Sequence, residues 1–334
     1  MTDDRLPLVT MSVKAYRQEH LVVQAIESVF AQTYPNLEII LSDDSSPDGT
    51  FAVMERMAAD YRGPHRVRLN RNPVNLGIAA HSNRIWELAS GRLLTGCAGD
   101  DIAHPDKVAR LVEAWRASGG KAAMVHSAVI QIDTEGHELE LIRPAPSSRV
   151  DPSPLDICRM RQNGIGATAL YDRRILDVFG PLPATAQIED GPMFFRAALL
   201  GGIAYVDAPL VNYRVGGVSD GRRHAGSAGR AYLYGQRITR LRWWAGNART
   251  FLSDMEKVDF PEREACRHEL RAFLAQAELQ FRLVEAGTAR RLSMIPEAAR
   301  LGLVARSTMP LRHALRYAFA PLYVAYHDRR HGRS

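Results

Sequence analysis

Three pairs of adjacent carboxylates stand out along the chain: Asp43-Asp44, Asp100-Asp101 and Glu189-Asp190. Like charges this close repel and raise one another's pKa, so such pairs tend to persist where a cation sits beside them. Asp100-Asp101 follows the apolar run Leu93–Cys97 and precedes His104-Pro105. Mg²⁺ and Mn²⁺ take oxygen ligands, often one or two protein carboxylates plus substrate phosphates. A divalent ion on this pair can neutralise a departing nucleotide diphosphate; a solvated loop or an N-cap for the next helix is the competing reading. Asp43-Asp44 ends another apolar run, Leu37–Leu41. A carboxylate there can accept the imide N–H of uracil or thymine, and Tyr16 can stack on a base; an Asx-turn and core packing are the alternatives. Glu189-Asp190 opens a helical stretch, where the macrodipole favours acids. One of the two can instead be a general base that deprotonates a hydroxyl nucleophile.

These pairs need elements to position them. Leu8–Val13 and Leu37–Leu41 read as buried strands, and between them Val22, Ile26, Val29 and Phe30 fall on one helical face. The cluster Ser42–Gly49 is rich in turn formers. A helix over about 50–61, a strand over 67–70, a helix over 77–89 and a strand over 93–97 follow. That alternation predicts a parallel α/β sheet covered on both faces. Ligands bind beyond the C-terminal ends of such strands, where Asp43-Asp44 and Asp100-Asp101 lie. A helix over 105–118 and a strand over Ala122–Ile132 come next, and the proline-rich segment 143–154 reads as an exposed connection. Strands over Gly164–Tyr171, Ile203–Val206 and Val211–Val215 flank helices toward Phe179 and from Glu189. After a glycine-rich stretch, 216–229, the remainder reads as wholly helical, with a stripe of Cys266, Leu270, Phe273, Ala277, Phe281 and Val284 suited to packing on the first part or on a second copy. A last helix follows Pro310.

The 334 residues carry 46% hydrophobic and 24% charged side chains, ordinary for a folded protein of one or two domains. No apolar run approaches the ~20 residues of a membrane span. The start, Met1–Arg5, lacks the apolar stretch of a secretory signal. Cys97, Cys158 and Cys266 are unpatterned, which excludes a disulfide framework and fits a reducing compartment. A cytoplasmic location is expected. The net charge of +6 is uneven: basicity is confined to residues 221–334, while 1–220 are net acidic. Such asymmetry suits an anionic partner, an inner membrane surface above all, against a solvated arginine-rich face. No nucleic-acid-binding motif accompanies the charge.

The segments Val9–Tyr16, Ala25–Pro35, Glu38–Thr50, Asn75–Ala79, Gly99–Asp101, Gly180–Leu182, Glu189-Asp190 and Tyr213-Arg214 resemble family 2 glycosyltransferases, in the family's order across about residues 7–219. The resemblance implies a GT-A type nucleotide-diphospho-sugar transferase fold over residues 1–220, a Rossmann-like mixed sheet flanked by helices, plus a basic helical region over 221–334. It implies inverting transfer, with Mn²⁺ or Mg²⁺, from a nucleotide sugar to a glycan or lipid-linked acceptor. By position, Tyr16 and Asp44 would contact the base and Asp43 would support the loop. Asp100 would approach ribose and phosphates, Asp101 would ligate the metal, and Asn75, Gly77 and Asn83 would lie along the nucleotide. Asp190 would be the base, with Glu189 near the acceptor. The chain departs from the family at Lys14–Arg17, at Ala98 where an Asp is common, and after Tyr213-Arg214, where no histidine comes before His224. A silent scaffold binding a partner through its C-terminal helices is the alternative. Another type of nucleotide enzyme lacks its Gly-x-Gly-x-x-Gly or phosphate loop here.

Overall fold

The computed structural model describes residues 6–160, 164–216, 230–285, 290 and 293–301. A nine-stranded mixed sheet runs through its centre. Strands β1 (Val9–Ala15), β2 (Leu37–Asp43), β3 (Arg66–Arg71) and β4 (Leu93–Ala98) are parallel, in the order β3-β2-β1-β4. Helices α1 (Val22–Phe30), α2 (Thr50–Asp60) and α3 (Ile78–Leu88) make the crossovers. β2 is buried along its whole length and β1 nearly so, as expected of central strands covered on both faces. β3 forms the edge, and its arginines at 66, 68 and 71 discourage pairing with another chain. In α1 the spacing of Val22, Ala25, Ile26 and Val29 buries one face completely, each large side chain contributing about 1.5–3 kcal/mol.

The sheet continues through β8 (Leu170–Asp172), antiparallel to both neighbours, into β6 (Met124–Ile132) and β9 (Ile203–Arg214). A two-residue strand β5 (Ile102–Ala103) closes this end on β9, and β7 (Glu138–Ile142) pairs with β6 as a hairpin. Helix α4 (Lys107–Ala117) begins two residues after the Pro105 start that the sequence suggests.

Three expectations change. Gly164–Tyr171 is not one strand: a 3₁₀ turn over Gly166–Thr168 precedes the short β8, with Thr168 Oγ1 bonded to Ile165 O. The two strands at 203–215 are one, broken only by bulges against β6. The segment 143–154 is partly tucked in, with Ser148 buried and His126 Nε2 bonded to Arg149 O at 3.0 Å, and helix α5 (Pro154–Met160) follows directly.

Helices α6 (Arg174–Phe179) and α7 (Asp190–Leu199) lead to α8 (Arg230–Asp254) and α9 (Arg263–Glu285). The apolar stripe of α9 packs within the same copy: Cys266, Leu270, Phe273 and Ala277 share a core with Met193, Phe194 and Phe195 of α7. Phe195 stacks on Phe251 at 4.1 Å between ring centroids. The guanidinium of Arg196 donates to Asp254 at 2.7 and 3.1 Å in full burial. His224 and the helix expected after Pro310 lie outside the described residues.

Candidate active site

The C-terminal ends of β1, β2 and β4 gather the acids as the alternating pattern predicts. Asp43 ends β2 and is fully buried; its carboxylate accepts from the backbone N–H of Ser46 at 2.9 Å and from the Ser46 hydroxyl, with Arg71 Nε at 3.6 Å. It therefore shapes the turn beneath the cleft. Asp44 faces the loop that follows β3: Oδ1 accepts from Asn72 Nδ2 at 2.8 Å and from Leu76 N at 2.9 Å, while Oδ2 accepts from Gly77 N at 2.9 Å. Asn75 Nδ2 donates to Asp44 O at 3.2 Å. Gly77, at φ +78°, takes a left-handed conformation to start α3 beside that carboxylate. A carboxylate has about four lone-pair positions, so Oδ2, with one donor, can take another.

Tyr16 is half-buried just past β1, its N–H donating to Gln18 Oε1 at 3.2 Å, with the Arg17 guanidinium 6.0 Å from its ring centroid. Arg17 itself holds φ +57° and is tied to Ser46 Oγ at 2.9 Å. Asn83 sits apart from these groups. Its amide is engaged at both ends, donating to Leu182 O and accepting from Leu182 N, each at 2.8 Å. That exchange fixes the loop after α6 against α3, upstream of Glu189.

Asp100 and Asp101 lie in the turn after β4, both buried. Asp101 Oδ1 accepts the backbone N–H of Arg214 at 2.9 Å, whereas among the described residues its Oδ2 has no partner. Burial and the neighbouring Asp100 push the Asp101 carboxyl up to about 8, against the pull of Arg214 and Lys107. A buried carboxylate oxygen without a donor beside a second acid is a donor set suited to a hard divalent cation. Arg214 works as a clamp: Nε donates to Asp100 O at 2.8 Å, its terminal nitrogens reach Asp133 O, Thr134 O and Gln24 Oε1, and it holds the pair against the β6–β7 turn and α1. On that exposed turn Asp133, Glu135 and His137 bring ligating atoms within 4.8 Å of one another, separately from the buried pair.

Glu189 and Asp190 begin α7. The Lys14 ammonium, at the end of β1, donates to Glu189 Oε1 and to Ser82 Oγ at 3.0 Å. Burial first, and then the Glu189 charge, push the Asp190 carboxyl up to about 7, with Lys14 and the Gly166 backbone opposing. A carboxyl poised there can exchange a proton near neutral pH. Asp190 opens onto a cavity of about 420 Å³ that also touches Tyr213 and, from α8, Trp243 and Asn247.

Four residues of this arrangement escape a linear reading. Lys14 neutralises Glu189 across the sheet. His81 Nε2 meets Ser42 Oγ at 2.7 Å, and burial holds the imidazole down to about 4 despite the nearby Asp44. Lys107 is fully buried at the start of α4, its ammonium donating to Gly96 O at 2.6 Å and Ala167 O at 2.7 Å. Gly166 borders Asp190. Only Lys107 left a trace: it falls four residues before Leu111 and eight before Trp115, a charge on the buried face of its helix.

Comparison with known proteins agrees with this arrangement. The profile described as Glycosyl transferase family 2 matches residues 11–178. The succinoglycan biosynthesis protein ExoO of Rhizobium meliloti is 31% identical over 181 residues, covering 52% of this chain and 50% of that protein. This chain's matches span half or less of the first curated relatives' own lengths, from 33% to 50%. Among solved structures, S. aureus TarS 1-349 in complex with UDP-GlcNAc aligns over 98% of this chain and 92% of its own, with a TM-score of 0.57 at 15% identity. Mannosyltransferase PcManGT from Pyrobaculum calidifontis, in complex with GDP-Man and Mn²⁺, aligns over 97% and 87% with a TM-score of 0.56 at 18% identity. At those identities the likeness establishes the fold.

Proposed function

This chain belongs to glycosyl transferase family 2, and on that premise we propose that it transfers a sugar, with inversion, from a nucleotide-diphospho-sugar to a hydroxyl of a glycan or lipid-linked acceptor. The observation that carries the reading is Asp190: a half-buried carboxyl at the start of α7, raised to about 7, bordering a cavity and linked through Glu189 and Lys14 to the nucleotide side of the sheet. Asp190 takes the proton of the acceptor hydroxyl as that oxygen attacks the anomeric carbon, and the bond to the diphosphate breaks on the opposite face. Lys14 holds Glu189 in place beside it.

On the donor side, the turn fixed by Asp43 and the loop 72–77 fixed by Asp44 form the base pocket, with Tyr16 as a stacking face. The free acceptor capacity of Asp44 Oδ2 suits the imide N–H of uracil or thymine, favouring UDP or dTDP sugars. Asp100 and Asp101 would hold Mg²⁺ or Mn²⁺, which would neutralise charge on the departing diphosphate. The unpartnered Asp101 Oδ2 and the Mn²⁺ complex of the structurally similar mannosyltransferase support that assignment. Residues 1–220 would form the catalytic unit, and 221–334 would cover its acceptor side and, through their basic charge, dock on an anionic membrane from the cytoplasmic face. No helix among the described residues is long and apolar enough to cross a membrane.

Thermal unfolding in the presence of UDP, dTDP, GDP, CDP and their sugars, each with and without Mn²⁺, tests the donor assignment. A ligand at a hundred times its Kd adds about 2.7 kcal/mol. A metal-dependent rise with a uridine or thymidine diphosphate supports the reading; no rise with any nucleotide refutes it. Sedimentation with anionic liposomes at low salt tests the docking.

A further inference from the structure

The cavity beside Asp190 has two walls of different origin. β6 contributes Gln131, within the segment the family profile matches, whereas α8 contributes Arg240, Trp243, Trp244 and Asn247, all beyond it. The α8 wall therefore comes from this chain's C-terminal helices, outside the matched segment. Its chemistry is specific. Asn247 is 2% exposed and borders the cavity, where its side-chain amide can both donate and accept. Trp243 is half-exposed beside it. An indole face there can cover the apolar C–H face of a sugar ring, leaving the ring hydroxyls to polar neighbours. Arg240 is exposed at the rim, and among the described residues it pairs with no carboxylate. A guanidinium so placed offers a bidentate fork to a carboxylate or phosphate.

We propose that this cavity is the acceptor subsite and that it takes a saccharide bearing an anionic substituent. The terminal sugar ring lies on Trp243, Asn247 hydrogen-bonds its hydroxyls, and Arg240 binds its carboxylate or phosphate. The hydroxyl that reacts points to Asp190. This rests on the reading of Asp190 as the base, and it adds to that reading the class of acceptor. Cavities of ~300–1,000 Å³ suit small ligands, and about 420 Å³ falls at the lower end, sized for the end of a chain rather than a long stretch of it.

The test is calorimetric titration of the full chain with methyl β-D-glucuronide, glucose 6-phosphate and methyl β-D-glucoside. At least one acidic sugar should bind about tenfold or more tightly than the neutral glucoside; whichever acid binds better identifies a uronate or a phosphate as the natural group. Arg240→Gln should erase that difference, and Trp243→Ala should weaken all three. Trp243 is the informative position because Trp244 also packs on the core. Thermal shift with the donor nucleotide, unchanged in both variants, shows that fold and donor site survive. Equal affinity for neutral and acidic sugars, no binding of any of the three, or wild-type affinity in Trp243→Ala overturns the proposal. Failure of the Asp190 reading looks different: Asp190→Asn would then keep transferring sugar while the acidic sugars still bind.

Discussion

Gly166 and Asp190 are in contact so close that a Cβ on Gly166 would stand 1.9 Å from Asp190 Oδ1. The 3₁₀ turn Gly166–Thr168 thus forms a seat for the carboxyl at the start of α7, and glycine is the residue that leaves room for it. Lys107 holds the same turn by donating to Ala167 O. Gly166→Ala should displace the carboxyl without touching the donor pocket. Transfer should fall by about 10²–10⁴-fold, the usual worth of a positioned base, as in Asp190→Asn, while nucleotide-induced thermal shifts persist. Normal turnover in Gly166→Ala would show that the contact does not set the carboxyl's position.

The pH profile follows from the same carboxyl. Asp190 acts as a base only when ionised, and its pKa stands raised from 3.8 to about 7. Transfer should therefore drop about tenfold per pH unit below 7 and level off above it. Lys14 favours the ionised form, so Lys14→Met should move the acid limb to higher pH. An acid limb that stays in place, measured as kcat against pH, would separate Lys14 from the ionisation of Asp190.

His81 makes stability pH-dependent in the acid range. Its folded pKa, about 4, lies below the ordinary 6.5 because burial outweighs Asp44 and Glu189. Between those values the unfolded chain binds the proton and the folded chain does not, so stability falls as pH drops from 6.5 toward 4. The slope from this one group reaches at most about 1.4 kcal/mol per pH unit. Urea titrations across that window should show a shallower loss in His81→Gln than in wild type; parallel curves would exclude the imidazole as the source.

Asp44→Asn should loosen the loop 72–77. The amide replaces one carboxylate oxygen with an NH₂ group that cannot accept from Leu76 N or Gly77 N. Leaving a donor unmatched costs about 1–3 kcal/mol, read as a lower Tm and weaker nucleotide binding together. A lowered Tm with intact nucleotide binding would confine Asp44 to holding the loop.

The Arg196–Asp254 pair joins α7 to α8 in full burial. Asp254→Ala strands the guanidinium and should cost about 3–5 kcal/mol in urea unfolding. Arg196→Leu combined with Asp254→Leu should recover part of that loss; a double variant no better than the single would point to the helix contact rather than the stranded charge.

Much of this protein is written in local patterns. The alternation of apolar strands with one-faced helices such as Val22–Val29 predicts the parallel half of the sheet, and turn chemistry puts Asp43, Asp44, Asp100 and Asp101 at its C-terminal edge. Those signals survive because each depends on neighbours within a few residues. The antiparallel half was legible only in part: β8 is three residues long and β5 two, too short for a periodicity, and both exist because partners distant in sequence supply their hydrogen bonds. Pairing across the fold also decided which acids are free. Nothing near Asp44 in sequence foretells that Leu76 and Gly77 claim its oxygens, nor that Arg214 caps one oxygen of Asp101 and leaves the other bare. Cys158 and Cys266, over a hundred residues apart, meet thiol to thiol. The sequence determined which groups could do chemistry; burial and long-range contacts, which alone set dielectric and hydrogen-bond partners, decided that Asp190 holds its proton to about 7 and that Trp243 and Asn247 stand beside it.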